Sequence, residues 1–213
     1  MDIQGPMSFW EWLSLAGLCL AGAASPGPSL AVVVSASVGG GKRSGLAAAW
    51  AHAFGVGLYA ALTVLGLTAL LASAGSLFIS FQSAGAIYLL WLAWGLWHSA
   101  QPTSMRGEDT VASTVSSARN GFAIAFLNPK LAIFMLALFS QFVRPEASTM
   151  TQAALIATAT LIDGLWYTLI TLVLTRGKWI EVLRNNGHKI DRLFAVLLAT
   201  VALVILARAL SSL

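Results

Sequence analysis

The chain has 213 residues, of which 58% are hydrophobic and 9% charged, and its mean hydropathy is +0.81. That balance excludes an ordinary soluble domain and describes a polytopic membrane protein. The formal net charge of +4 would suit nucleic acid, but the basic residues stand scattered at the ends of apolar segments and form no single stripe, so no nucleic-acid partner is expected.

The N-terminal apolar run ends in Ala21-Gly22-Ala23-Ala24-Ser25, which resembles a signal-peptide cleavage site. The flank argues otherwise, since a signal peptide opens on a basic region and here Asp2 and Glu11 precede the first basic residue, Lys42. The run is therefore kept as a first span, about Ser8 to Val38. It is too long for one straight crossing, and Ser25-Pro26-Gly27-Pro28-Ser29 breaks it. Pro26 and Pro28 remove two amide donors and Gly27 between them is conformationally free. Lipid cannot satisfy the freed backbone groups, so such a break is expected where it faces protein or a water-filled cavity.

The glycine-rich turn Gly39 to Gly45 carries Lys42 and Arg43 but does not match a phosphate-binding loop, and is read as a tight cytoplasmic turn. Span two, about Gly45 to Ser73, is rich in Ala and Gly, which suits close helix packing and is compatible with a homodimer. It also holds His52, a candidate proton relay. Span three runs from about Ser76 to Ser99. Trp10 and Trp12 at the start of span one, and Trp94, Trp97 and His98 at the end of span three, fit interfacial belts; Trp50, Trp91 and Trp166 lie deeper and suit lipid contact or packing better than a cavity wall.

Residues 101–118 read as a flexible cytoplasmic loop joining two halves, about 1–100 and 119–213, of a single domain spanning 1–213. Span four, about Arg119 to Val143, is broken at Asn128-Pro129-Lys130, and span five runs from about Thr151 to Thr175. Between Arg176 and Asp191, Trp179, Ile180 and Leu183 share a helical face among basic residues, which fits either a short surface helix or an ordinary loop. Span six covers about Asp191 to Leu210. The expected fold is thus all-α, with six transmembrane helices of which helices 1 and 4 are broken. Three spans per half make any duplication an inverted repeat, and paired breaks in the two halves point to a transporter's substrate site.

Nine of the twelve Lys and Arg fall in the loops after spans one, three and five, or at their edges, while Arg144 and Arg208 lie on the other side. The positive-inside rule then places both termini outside the cytoplasm.

Lys130 and Asp163 stand well inside apolar segments, where an ionisable group costs at least ~2.5 kcal/mol on insertion scales and normally faces the bundle interior with a partner. Two readings stay open. The pair would flank a polar cavity suited to an amino-acid zwitterion, with the carboxylate toward Lys130 and half-helix amides, and the ammonium toward Asp163 or freed carbonyls; Asp163 would then be a proton carrier, with His52 as relay. Alternatively Lys130 and Asp163 form a structural pair that fixes packing. No metal-ligand spacing occurs, His52, His98 and His188 are isolated, and Cys19 is the sole cysteine, so no metal and no cofactor is expected. An intramembrane aspartyl protease would need two aspartates in the spans, and Asp163 stands alone there.

Several motifs together resemble the LysE/RhtB family of amino-acid exporters of bacterial inner membranes. They are Ser25-Pro26-Gly27-Pro28, the turn ending Arg43-Ser44-Gly45, the run Gly85 to Leu92, Asn128-Pro129-Lys130 followed by Phe134, Ala137, Leu138, Phe139, Gln141 and Phe142, and then Asp163. Ser140 departs from a proline found in many members, and Ala51 from a frequent glycine. The resemblance implies a non-enzymatic, multi-pass inner-membrane exporter of a neutral amino acid or a threonine- or homoserine-like derivative, working in exchange for protons. A related branch exporting metal cations is the nearer alternative, and an intramembrane enzyme the farther one. The implied site comprises Pro26, Gly27, Pro28, Asn128, Pro129 and Lys130 at the breaks, with Asp163 and His52 for proton coupling.

Overall fold

The computed structural model describes residues 7–25, 27–73, 75–98, 113–144 and 147–174, with separate helical positions between 189 and 207. Pro26, most of the 101–118 linker and the 176–188 segment with Trp179, Ile180 and Leu183 lie outside the described residues, as does most of span six. Every described element is helical: α1 (Phe9–Ala24), α2 (Pro28–Ser73), α3 (Gly75–His98), α4 (Thr114–Phe126), α5 (Pro129–Phe139) and α6 (Thr149–Leu174). Among the described residues two helices are long and apolar enough to cross a membrane, Pro28–Ala69 and Thr149–Leu174, and α4 with α5, bent by 57°, would make a third.

Capping fixes where α1 starts and stops. Ser8 and Glu11 form a capping box, the Ser8 amide donating to the Glu11 carboxylate (2.8 Å) and the Glu11 amide to Ser8 Oγ (3.3 Å). At the far end the Ser25 amide donates to Ala21 O, and the chain then meets the proline pair. Pro28 opens α2 at the position where a missing N–H costs nothing, and the Gly27 carbonyl accepts from Ala31.

The glycine-rich turn is tighter than the sequence suggests. Helix continues through Gly39 and Gly40 and resumes at Lys42, so the reversal is confined to Gly41, at φ 71° and ψ −172°. A side chain is strained in that backbone conformation, which is why one glycine suffices. The two arms of α2, residues 28–40 and 42–73, fold back on each other: a Cβ on Gly45 would collide with Ser37 Oγ and with Thr171 of α6.

The second half departs from expectation at both ends of span four. Ser113 caps α4, its Oγ accepting from Ser116 N (3.1 Å), so helix begins at Thr114 inside what reads as loop. α5 ends at Phe139, and residues 140–142 form a turn in place of the last helical turn expected up to Val143.

α2 packs chiefly on α4 and α6, α1 on α6, and α3 on α5. Small residues set the spacing, as the composition of span two leads one to expect. Gly121 of α4 lies against the Ala48 backbone, Gly55 against Ala125, and Gly57 against Thr160 of α6. One apolar core runs through Leu15, Leu18, Val56, Leu89, Phe134, Leu138 and Leu155; a second joins Val33, Ala48, Tyr167 and Ile170 around the first arm of α2.

Candidate functional site

Two residues that stand 111 positions apart meet in the interior: His52 Nδ1 lies 2.8 Å from Asp163 Oδ2. His52 is 1% exposed and Asp163 5%. His52 comes from the second arm of α2, where its alanine neighbours allow α6 to approach, and Asp163 from the middle of α6 beside Gly164, whose missing side chain makes room for the Trp50 ring. One turn beyond Asp163, on the same face, the buried Tyr167 packs edge-on against the His52 ring (5.1 Å, 81°). Its hydroxyl donates to Ala23 O in the last turn of α1 (2.9 Å).

These groups border a cavity of about 30 Å³. Cys19, Gly22 and Ala23 of α1, Ser29 in the first turn of α2, His52 and Val56 of its second arm, Leu131, Phe134 and Met135 of α5, and Ala159, Asp163 and Tyr167 of α6 line it. Both broken helices therefore contribute walls. Gly22 is needed there, since a Cβ would run into the Phe134 ring. The volume has room for a water-sized group. His52 Nε2 and Ser25 Oγ are buried and meet no hydrogen-bond partner among the described residues.

The second break is organised differently. Asn128 caps α5, its side-chain oxygen accepting from the Lys130 and Leu131 amides (3.0 and 3.4 Å). Tyr59 of α2 donates to Phe126 O at the end of α4 (2.7 Å). Ala23 stands three residues before Pro26 and Phe126 three before Pro129, so in each half a tyrosine from the other half satisfies the carbonyl at the same distance from a proline.

Of the residues singled out in the sequence, His52 and Asp163 come together. Gly27 and Pro28 form the entry to α2, Asn128 and Pro129 the entry to α5, and Pro26 falls outside the described residues. Lys130 differs from expectation: it is exposed and is not among the cavity's lining residues. Helical phase explains this, because Lys130 and Ile133 share the outward face of α5 while Phe134, Met135 and Leu138 face in. The buried partner of Asp163 is accordingly His52, and not the Lys130 of the structural-pair alternative. Trp50, Trp91 and Trp166 are likewise not lining residues.

Sequence reasoning missed both tyrosines. The available signal was a hydroxyl in an apolar span, which must find an acceptor when buried. It also missed a second ion pair, Arg144 Nη2 to Glu11 Oε1 at 2.6 Å, which ties the start of α1 to the segment after α5. Glu11 near the start of span one and Arg144 just after span four fall on one side of the expected topology with opposite charges, which is the signal available in the sequence.

The model of the LysE family, described as LysE type translocator, matches residues 20–209. An uncharacterized membrane protein of Escherichia coli (strain K12) is 31% identical over 140 residues, covering 63% of this chain and 60% of that protein. A homoserine/homoserine lactone efflux protein of Salmonella typhimurium is 28% identical over 141 residues (65% and 67%), and a leucine efflux protein of Enterobacter sp. (strain 638) 24% over 192 residues (89% and 88%). The match to the first of these relatives thus spans about three fifths of its length. No solved structure matches the chain.

Proposed function

We propose, because the chain belongs to the LysE type translocator family, that it is a secondary transporter that exports a small neutral amino acid or derivative in exchange for protons. The single observation that carries this reading is the buried His52–Asp163 pair beside the first helix break. An intramembrane ionisable pair on a cavity is expensive, and proton relays are a use that repays the cost. Relatives named for homoserine, homoserine lactone and leucine efflux support a neutral, amino-bearing cargo. The protein is multi-pass and sits in the bacterial inner membrane.

In this reading α1 with the first arm of α2 forms one broken span and α4 with α5 its counterpart. The second arm of α2, α3, α6 and a final span near residues 191–210 complete six, arranged as two inverted three-helix halves. The two tyrosine-to-carbonyl bonds support that duplication, since they exchange places under it. The excess of Lys and Arg in the loops after spans one, three and five supports termini outside the cytoplasm. Backbone freed around Pro26, Gly27, Pro28, Asn128 and Pro129 would line the path as the halves rock. Asp163 and His52 carry the proton, and Lys130 acts from outside the cavity.

The test is counterflow in proteoliposomes with labelled leucine, homoserine and threonine, with and without an imposed pH gradient. Saturable exchange that responds to the gradient is expected. Exchange of none of the amino acids by folded protein would overturn the reading.

A further inference from the structure

Building on the transporter reading, we propose that a proton and the ammonium group of the ligand compete for one atom, Nε2 of His52, and that the ligand's carboxylate is dispensable. The other ring nitrogen, Nδ1, fixes what Nε2 can do. Nδ1 faces the Asp163 carboxyl at 2.8 Å; in the proton-free form of the pair, with Asp163 ionised and His52 neutral, the carboxylate can only accept, so Nδ1 holds the hydrogen. Nε2 is then either a lone-pair acceptor on a neutral ring or an N–H donor on an imidazolium. It is buried and has no partner among the described residues, and His52 lines the cavity.

Charge decides what belongs there. The titratable groups around the cavity are Asp163 and Tyr167 from α6, His52 from α2 and Cys19 from α1; α5 contributes only Leu131, Phe134 and Met135. Among the described residues no Lys or Arg lines it, and Lys130 is exposed on α5. The α1 C-terminus adds the negative end of its helix dipole. With a neutral His52 the site therefore holds one uncompensated negative charge, and a buried charge without a partner is strongly unfavourable. Either a proton on Nε2 or an ammonium donating to Nε2 supplies the missing positive charge. Both cannot do so at once, because protonation consumes the lone pair that the ammonium needs. Exchange of one for the other leaves the site's net charge unchanged, which is a one-for-one coupling with no covalent step beyond the proton's own transfer.

The lining supports the second clause. Among the residues that line the cavity there is no Lys or Arg to receive a carboxylate.

Thermal unfolding of the purified full-length protein in detergent reads the site directly, since a ligand that binds the folded state raises its stability. The probes are 3-methylbutylamine, which has leucine's ammonium and side chain without the carboxylate, and 4-methylpentanoate, which has the carboxylate without the ammonium. Both keep their charge from about pH 5.5 to about pH 8.5. The amine is expected to protect and the carboxylate not. The half-protecting amine concentration should rise as the pH falls, by up to about tenfold per pH unit where the proton holds the site. His52→Gln, whose side-chain oxygen accepts at any pH, should keep protection with a flat pH profile. Equal protection by both probes, no protection by the amine, or the same pH profile in His52→Gln and wild type would overturn the proposal. Should His52→Gln not fold, the amine and carboxylate contrast in wild type decides alone. Leucine counterflow in liposomes separates the two claims. Amine protection without exchange of leucine, homoserine or threonine sinks the transporter reading and leaves the ammonium site; leucine exchange without amine protection does the reverse.

Discussion

The two helix breaks are alike in sequence logic and opposite in chemistry. At the second, Asn128 caps α5, Tyr59 covers the Phe126 carbonyl, and the nearby charge, Lys130, is exposed. At the first, Tyr167 covers the Ala23 carbonyl, but Ser25 Oγ and His52 Nε2 are buried without partners among the described residues, and Asp163 sits beside His52. The proposed site lies at the first break because these polar atoms without partners among the described residues gather there, although the sequence places one ionisable residue in or near each.

The sharpest way to break this contrast is at the buried pair. His52→Ala and Asp163→Ala should each destabilise the protein by about 3 kcal/mol or more, because each strands a buried partner. The double variant should lose less than the sum, and thermal unfolding of the three proteins checks it. Simple additivity would mean that the two side chains do not depend on each other.

Next come the tyrosines. Tyr167→Phe should cost about 1–3 kcal/mol and slow transport, since it leaves a buried carbonyl unsatisfied and loosens the contact between His52 and α1. Tyr59→Phe, at a half-buried position away from the ion pair, should cost less and leave the pH dependence of transport unchanged. Equal effects on pH dependence would erase the distinction between the breaks.

Much of this arrangement is legible in the sequence. The prolines mark both breaks and the glycines of α2 its close approaches, because backbone chemistry acts locally. Asp163 reads as buried from its place in a long apolar run. Lys130 misleads because a run of apolar neighbours does not say which face a side chain takes once Asn128 and Pro129 restart the helix after a 57° bend. The Ser113 cap and the single-residue turn at Gly41 are likewise set by local backbone bonds and conformation that composition does not reveal.

Smaller effects sharpen the picture of the second break. Asn128→Ala should cost about 1 kcal/mol by removing the cap, with substrate selectivity unchanged, as read by unfolding and by competition among amino acids. Lys130→Ala should have the smallest effect, a rise of less than about tenfold in the apparent KM, because its charge lies outside the cavity. A loss of transport in Lys130→Ala would return the carboxylate-binding role to the second break.

The most direct test is proton movement itself, measured with an entrapped pH dye while labelled amino acid exits the same vesicles, in wild type and in Asp163→Asn. The account predicts that protons move against the amino acid in wild type, and that in the correctly inserted variant amino-acid flux no longer responds to or generates a pH gradient. Undiminished proton-coupled export by Asp163→Asn would contradict it.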